Sequence, residues 1–190
     1  TEIVNLLDQL PKNIIVVLDG AYAEYVMKED YDAGFSLTNE FENVIITRTF
    51  SKAYGLAGMR IGWSYSSEKV ALILNKVKGP FNTQSISQEM AIIALEDKEY
   101  LRKVIINNQE IKKWFEEELK KIQINIRPSE GNFSFVETSE EKAKKISYHL
   151  ANEGIIVRQL DSYGLPNCLR ITIGTRKEME TTIQSLRKLS

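Results

Sequence analysis

Two runs dominated by β-branched residues, NIIVVLD at 13–19 and NVIITRTF at 43–50, constrain the fold most. Neither alternates apolar with polar side chains, so each is expected to be a strand covered on both faces, as in a sheet flanked by helices. RIGWSYSS at 60–67 reads as a third strand. Ser67 then precedes EKVALILNKVKG, a helix with an acidic first turn, late lysines and a stop at Gly79 reinforced by Pro80. Strands alternating with helices predict an α/β layer.

From Ser85 to residue 122 the apolar positions recur at three and four, predicting one or two long helices with a charged outer face. The texture then changes. INIRP, NFSFVET, IIVRQL and LRITIG read as short strands, EEKAKKISYHLANEG as a helix stopped at Gly154, and RKEMETTIQSLRKL as a closing helix. That is the pattern of an α+β lobe. The expected division is 1–84 in the α/β part, 85–104 as a helical connection and 105–190 as the second lobe. There is no internal repeat and no low-complexity tract.

With 43% hydrophobic residues, the 190-residue chain can form one substantial core or two small lobes. Its 25 basic and 26 acidic residues leave a net charge of -1, which gives no global attraction for nucleic acid. A single cysteine, Cys168, excludes an internal disulfide and fits a reducing compartment. No run approaches the roughly 18 apolar residues of a membrane span, and the first residues lack a basic region followed by a cleavage site. The expectation is a soluble cytoplasmic protein without a membrane or nucleic-acid partner. Because the chain starts at Thr1, it is expected to be processed, truncated or a partly represented polypeptide.

The chemistry concentrates in TRTFSKAYGLAGMRIGW at 47–63. Thr49 and Ser51 supply hydroxyls, Gly55 and Gly58 permit close backbone approach, and Arg60 offers a fixed fork for an oxyanion. Together they describe a phosphate cradle, although neither GxxxxGK[ST] nor GxGxxG is present. Lys52 lies inside it, where an amine able to form a Schiff base is chemically reasonable. The same pattern also fits a surface loop whose lysine and arginine solvate it. Asp19 ends the first strand, where α/β sheets form ligand crevices, and can hold a proton on a heteroaromatic nitrogen or act as a turn or cap residue. Tyr22, three residues on, can point its phenol into the same crevice.

SKAYGLAGMRIGW resembles the cofactor-lysine segment of the fold-type-I pyridoxal-phosphate-dependent aminotransferases, especially the histidinol-phosphate group. VVLDGAY resembles the family's aspartate segment, GNFSFV its asparagine-phenylalanine strand, and CLRITIGT its substrate-arginine strand; the order matches as well. The resemblance implies the C-terminal part of the large cofactor domain followed by the small α+β domain. It also implies that pyridoxal 5'-phosphate is bound through Lys52, which then shuttles the substrate proton. Asp19 would pair with the pyridine nitrogen and Tyr22 with the ring phenolic oxygen, while Thr49, Ser51 and Arg60 hold the phosphate. Arg170 would bind the acidic end of the substrate, with Arg158 as a further phosphate contact.

The implied partners are histidinol phosphate or another amino donor, 2-oxoglutarate or glutamate, and a second copy in a homodimer. Aromatic or broad-specificity transamination, amino-acid-phosphate decarboxylation and a noncatalytic interaction module are the alternatives. Two substitutions depart from the family pattern: Gly20 where an acidic residue is usual, and Trp63 where tyrosine or phenylalanine is commoner. Such enzymes are also roughly twice as long, so the upstream half of the pocket is expected to lie outside this sequence, leaving an open sheet edge. His149, Cys168, Trp114 and Phe115 read as structural: a helix residue, a small strand-edge residue and two docking aromatics. EEELKK reads as a solvated face.

Overall fold

The computed structural model describes residues 2–189, which divide between Leu101 and Arg102 into two compact units. In the first, helix α1 (Glu2–Gln9) precedes strand β1 (Val16–Asp19), the short helix α2 (Leu37–Glu40), and strands β2 (Val44–Thr49) and β3 (Gly62–Ser66). Helices α3 (Glu68–Val77) and α4 (Ser85–Glu96) follow. Helix α5 (Lys98–Lys121) begins in the first unit and continues into the second.

The first sheet has the order β1-β2-β3. β1 runs parallel to β2, with Asp19 opposite Thr47, and β3 returns antiparallel, with Ser64 opposite Thr47 and Gly62 opposite Thr49. Directly opposed residues share a face. Asp19, Thr47 and Ser64 therefore make a polar row on one face, while Val16, Leu18, Val44 and Ile46 pack with Leu7 of α1 on the other. Val44 and Ile46 are fully buried. The expectation that β1 is covered on both faces does not hold, because Val17 remains 54% exposed. Among the described residues α1 covers the opposite face, while on the Val17 face its register partner Ile45 of β2 is buried.

The second unit contains β4 (Asn125–Arg127), β5 (Phe133–Glu137), α6 (Glu140–Asn152), β6 (Arg158–Leu160), β7 (Leu165–Thr172) and α7 (Arg176–Arg187). Its antiparallel sheet has the order β4-β5-β7-β6. Val136, Leu169 and Ile171 join Phe115 and Leu119 of α5, Ile146 and Leu150 of α6, and Ile183 and Leu186 of α7 in one core. Capping fixes the helices as their sequences specify: Ser139 accepts from the Lys142 amide, and Thr175 with Glu178 forms a reciprocal capping box. Gly154 ends α6 at φ 80°, a left-handed conformation suited to glycine. The helical stretch from Ser85 is two helices, divided at Asp97, whose Oδ1 accepts from the Tyr100 amide at 2.9 Å.

Two structural expectations change. Glu118, within EEELKK, is buried, accepting from Lys121 at 2.6 Å and from Arg187 of α7 at 2.5 Å. A charged helix face thus contains an interhelical tie. Cys168 lies within β7, an inner strand, and is 1% exposed; burial raises its thiol pKa, with Glu137 reinforcing the shift. Trp114 and Phe115 dock α5 onto the core as expected, with the Arg176 guanidinium 3.5 Å from the Trp114 ring centroid. His149 Nε2 stands 3.0 Å from the Ser185 carbonyl oxygen.

Candidate active site

The end of β1 supplies the carboxylate. Asp19 Oδ1 accepts from the Ala21 amide and from the Thr47 hydroxyl, each at 3.1 Å. The turn role and the ligand role therefore do not compete: one oxygen shapes the turn and orients the group, while Oδ2 stays available to a proton donor. Thr47 escaped sequence inspection as a functional neighbour because only the parallel register places it beside Asp19.

The loop after β2 supplies the amine. Fully buried Ala53 and largely buried Phe50 anchor this loop, and the Leu56 amide donates to the Phe50 carbonyl at 2.9 Å. Between these anchors Lys52 is exposed, its Nζ 5.6 Å from the centroid of the Tyr22 ring, within cation–π range. The Lys52 carbonyl accepts from the Gly55 amide at 3.0 Å, and Gly55 adopts φ 72°, which permits the reversal. Farther along, buried Ser87 of α4 donates from Oγ to the Met59 carbonyl at 2.8 Å and steadies the far arm.

The anion-binding candidates follow. Thr49 Oγ1 accepts from the Ser51 amide at 3.1 Å, which leaves the Thr49 hydroxyl proton and the Ser51 hydroxyl as donors. Arg60 adopts a left-handed backbone, φ 51°, and one guanidinium nitrogen donates to the Ala57 carbonyl at 2.9 Å. Its remaining N–H groups keep capacity for an oxyanion. The return strand requires Gly62, because a Cβ there would lie 2.7 Å from the Arg48 carbonyl oxygen.

Beneath the opposite sheet face, Arg48 pairs with Glu24 at 2.7 Å, and Tyr54 shares their surroundings. Burial raises the Tyr54 phenol above its ordinary pKa, Glu24 adds to the rise, and Arg48 opposes it. Sequence reasoning missed this cluster, since its members come from a turn, a strand and a loop.

In the second unit Arg158 and Arg170 are direct register partners on β6 and β7. Arg170 also lies opposite Phe135 and stands 5.4 Å from the Phe133 ring centroid. Arg158 donates to the Tyr163 hydroxyl at 3.3 Å. Neither guanidinium has a carboxylate partner among the described residues, so the juxtaposed charges suit a bound anion. Asp19, Tyr22, Thr49, Ser51, Lys52 and Arg60 belong to the first unit, and these two arginines to the second.

The donor set fits pyridoxal phosphate: an amine for its aldehyde, a spare carboxylate oxygen for its ring nitrogen, and hydroxyls with a guanidinium for its phosphate. Among the described residues no three His, Cys, Asp or Glu side chains gather to hold a metal, and no helix is long and apolar enough to cross a membrane.

Comparison with known proteins gives the same direction. Residues 1–186 match the family described as aminotransferase class I and II. Histidinol-phosphate aminotransferase 2 of Haemophilus influenzae strain 86-028NP is 41% identical over 99% of this chain and 51% of its own length. The histidinol-phosphate aminotransferase of Maricaulis maris is 37% identical over 97% of this chain and 52% of its own. A crystal structure of histidinol-phosphate aminotransferase from Sinorhizobium meliloti, in complex with pyridoxal-5'-phosphate, superposes with a TM-score of 0.91 at 30% identity. It is matched over 100% of this chain and 53% of that one. The chain spans about half the length of the curated relatives it matches.

Proposed function

The chain belongs to the aminotransferase class I and II family, and on that premise we propose that it forms the lysine-bearing half of a pyridoxal-phosphate-dependent histidinol-phosphate aminotransferase. Such an enzyme moves the amino group between histidinol phosphate and 2-oxoglutarate, in histidine biosynthesis. The observation that carries the reading is the split role of Asp19 beside a loop that presents Lys52 over Tyr22. In this reading residues 1–84 are part of the large cofactor domain, 85–104 connect, and 105–190 form the small domain.

The roles follow from the chemistry of each side chain. When bound, pyridoxal phosphate supplies the aldehyde that takes the amino group and an electron-withdrawing ring. Asp19 holds the proton on the ring nitrogen through Oδ2, and Tyr22 donates to the ring oxygen. Thr49, Ser51 and Arg60 hold the phosphate. Lys52 would hold the aldehyde at rest and, once substrate has displaced it, its amine would move the proton between the substrate Cα and the former aldehyde carbon. Arg170 and Arg158 receive the carboxylate or phosphate of the substrate. A homodimer is part of the proposal, and size measurement on the full-length enzyme tests it.

The deciding experiment adds pyridoxal phosphate to the purified 190-residue chain, reduces with borohydride and maps the adduct by peptide mass. A stoichiometric label at Lys52, lost in Lys52→Ala, is the expected result; indiscriminate labelling of lysines overturns the assignment for this chain. On the full-length enzyme, histidinol phosphate, phenylalanine and phosphothreonine compared as donors test the substrate, with a marked preference for histidinol phosphate expected.

A further inference from the structure

The Glu24–Arg48 pair is largely buried, its two side chains 7% and 13% exposed. It is also incompletely satisfied, since Glu24 Oε2 and Arg48 Nε are buried without a hydrogen-bond partner. A pair in that state is a poor source of stability, because desolvation offsets most of its attraction and each unmet polar atom adds a cost. Its value is better sought in what it holds together.

Glu24 lies two residues after Tyr22, and Arg48 four residues before Lys52. The Arg48 guanidinium carbon is 5.9 Å from both the Phe35 and Trp63 ring centroids, which fixes the direction of its stem. Gly20 leaves room for that stem, since a Cβ there would meet Arg48 Cδ at 2.8 Å. The backbone is tied at the same level, where the Gly20 amide donates to the Thr47 carbonyl at 2.9 Å.

We propose that the Glu24–Arg48 pair is a positioning element for Lys52, locking the 19–25 segment to the strand that launches the lysine loop and so setting the Lys52 amine against Tyr22 and Asp19. The proposal rests on the cofactor reading above. Glu24 and Arg48 are not among the residues assigned above to cofactor or substrate; Arg48 lies on the face of β2 opposite Thr47, so the pair acts through the backbone. Tyr54 closes the same cluster, two residues beyond Lys52, with its ring 5.0 Å from that of Phe50.

The test compares the unaltered chain with Glu24→Gln, Arg48→Met and the double variant. Without cofactor, hydrogen exchange is followed by mass spectrometry. Each single variant is expected to speed exchange in both the 19–26 and the 50–56 peptides, with the double variant no faster than the singles. With pyridoxal phosphate and borohydride, the share of label on Lys52 is expected to fall about tenfold in Glu24→Gln and in the double variant. The double variant removes both charges, so it keeps its thermal midpoint while losing label selectivity.

Faster exchange confined to the altered segment, or strictly additive effects, would overturn the coupling. Undiminished selectivity at Lys52 in all three variants would refute the positioning role alone. Indiscriminate labelling already in the unaltered chain would overturn the cofactor assignment for this chain and this proposal with it, a result readily told apart from the others.

Discussion

Replacing Gly20 with alanine probes how tightly the lysine loop is built. The added Cβ would stand 2.8 Å from Arg48 Cδ and 3.0 Å from the Thr47 carbonyl oxygen. Ordinary carbon contacts begin near 3.5 Å, so Arg48 must retreat by several tenths of an ångström or more. It has little freedom to do so, held at 2.7 Å by Glu24 and flanked by Phe35 and Trp63. Overpacking of this kind costs about 1–3 kcal/mol, while alanine recovers about 0.4–1 kcal/mol by restricting the unfolded chain. The expected net loss is about 1–2 kcal/mol. Trp63 is a local reporter, and with only two tryptophans in the chain a Trp114→Phe background isolates its fluorescence during urea unfolding. In an Arg48→Ala background the same Gly20→Ala change should cost at least about 1 kcal/mol less, since its nearest clash is gone. Equal or greater stability of Gly20→Ala in the unaltered background would refute the claim that glycine makes room for Arg48.

Three further outcomes are expected. Phe115→Ala, at a fully buried position in the core of the second unit, should cost about 3–5 kcal/mol in urea unfolding monitored by circular dichroism. Glu118 is held below its ordinary carboxyl pKa, chiefly by the hydrogen bond from Lys121 and further by Arg187, against an opposing contribution from burial. Its unfolded form therefore protonates first, so its contribution is full above roughly pH 4.3 and is lost as pH falls through the native value. Glu118→Gln should flatten the acid limb of stability against pH. Inorganic phosphate should stabilise the fold through Arg158 and Arg170, by about 1.4 kcal/mol at ten times its dissociation constant and with a raised thermal midpoint, and Arg158→Ala/Arg170→Ala should abolish the gain.

Legibility in the sequence followed the range of the interactions. β1 and β2 were readable because β-branched runs bounded by polar turns are a local signal, β3 was read from RIGWSYSS, and α6 from its helical run stopped at Gly154, with α7 as the closing helical run. Helix α1 was not, since eight residues before Pro11 carry too short a period to stand out against the run that follows. Lys52 and Asp19 could be singled out by type and position, yet the hydroxyl that orients Asp19 comes from a residue 28 positions away and is fixed only by parallel register. The same holds for Arg48 with Glu24 and for the opposition of Arg158 and Arg170, where the register shift between Gln159 and Leu160 defeats counting along the chain. Glu118 was hidden for another reason: within a run of charges, nothing local distinguishes the one that turns inward.

The two oxygens of Asp19 carry separate obligations, one to the backbone turn and one to whatever occupies the crevice. Substitution by asparagine leaves the first intact, since an amide oxygen accepts from Ala21 and Thr47 as a carboxylate does, and changes only the second. Folding and chemistry are thus separable at a single atom. A lineage that abandoned the reaction could drift to asparagine here and keep the architecture, whereas drift to alanine would loosen the turn as well. The identity of residue 19 across a set of such chains would therefore distinguish those still under selection for the reaction from those retained only for their shape.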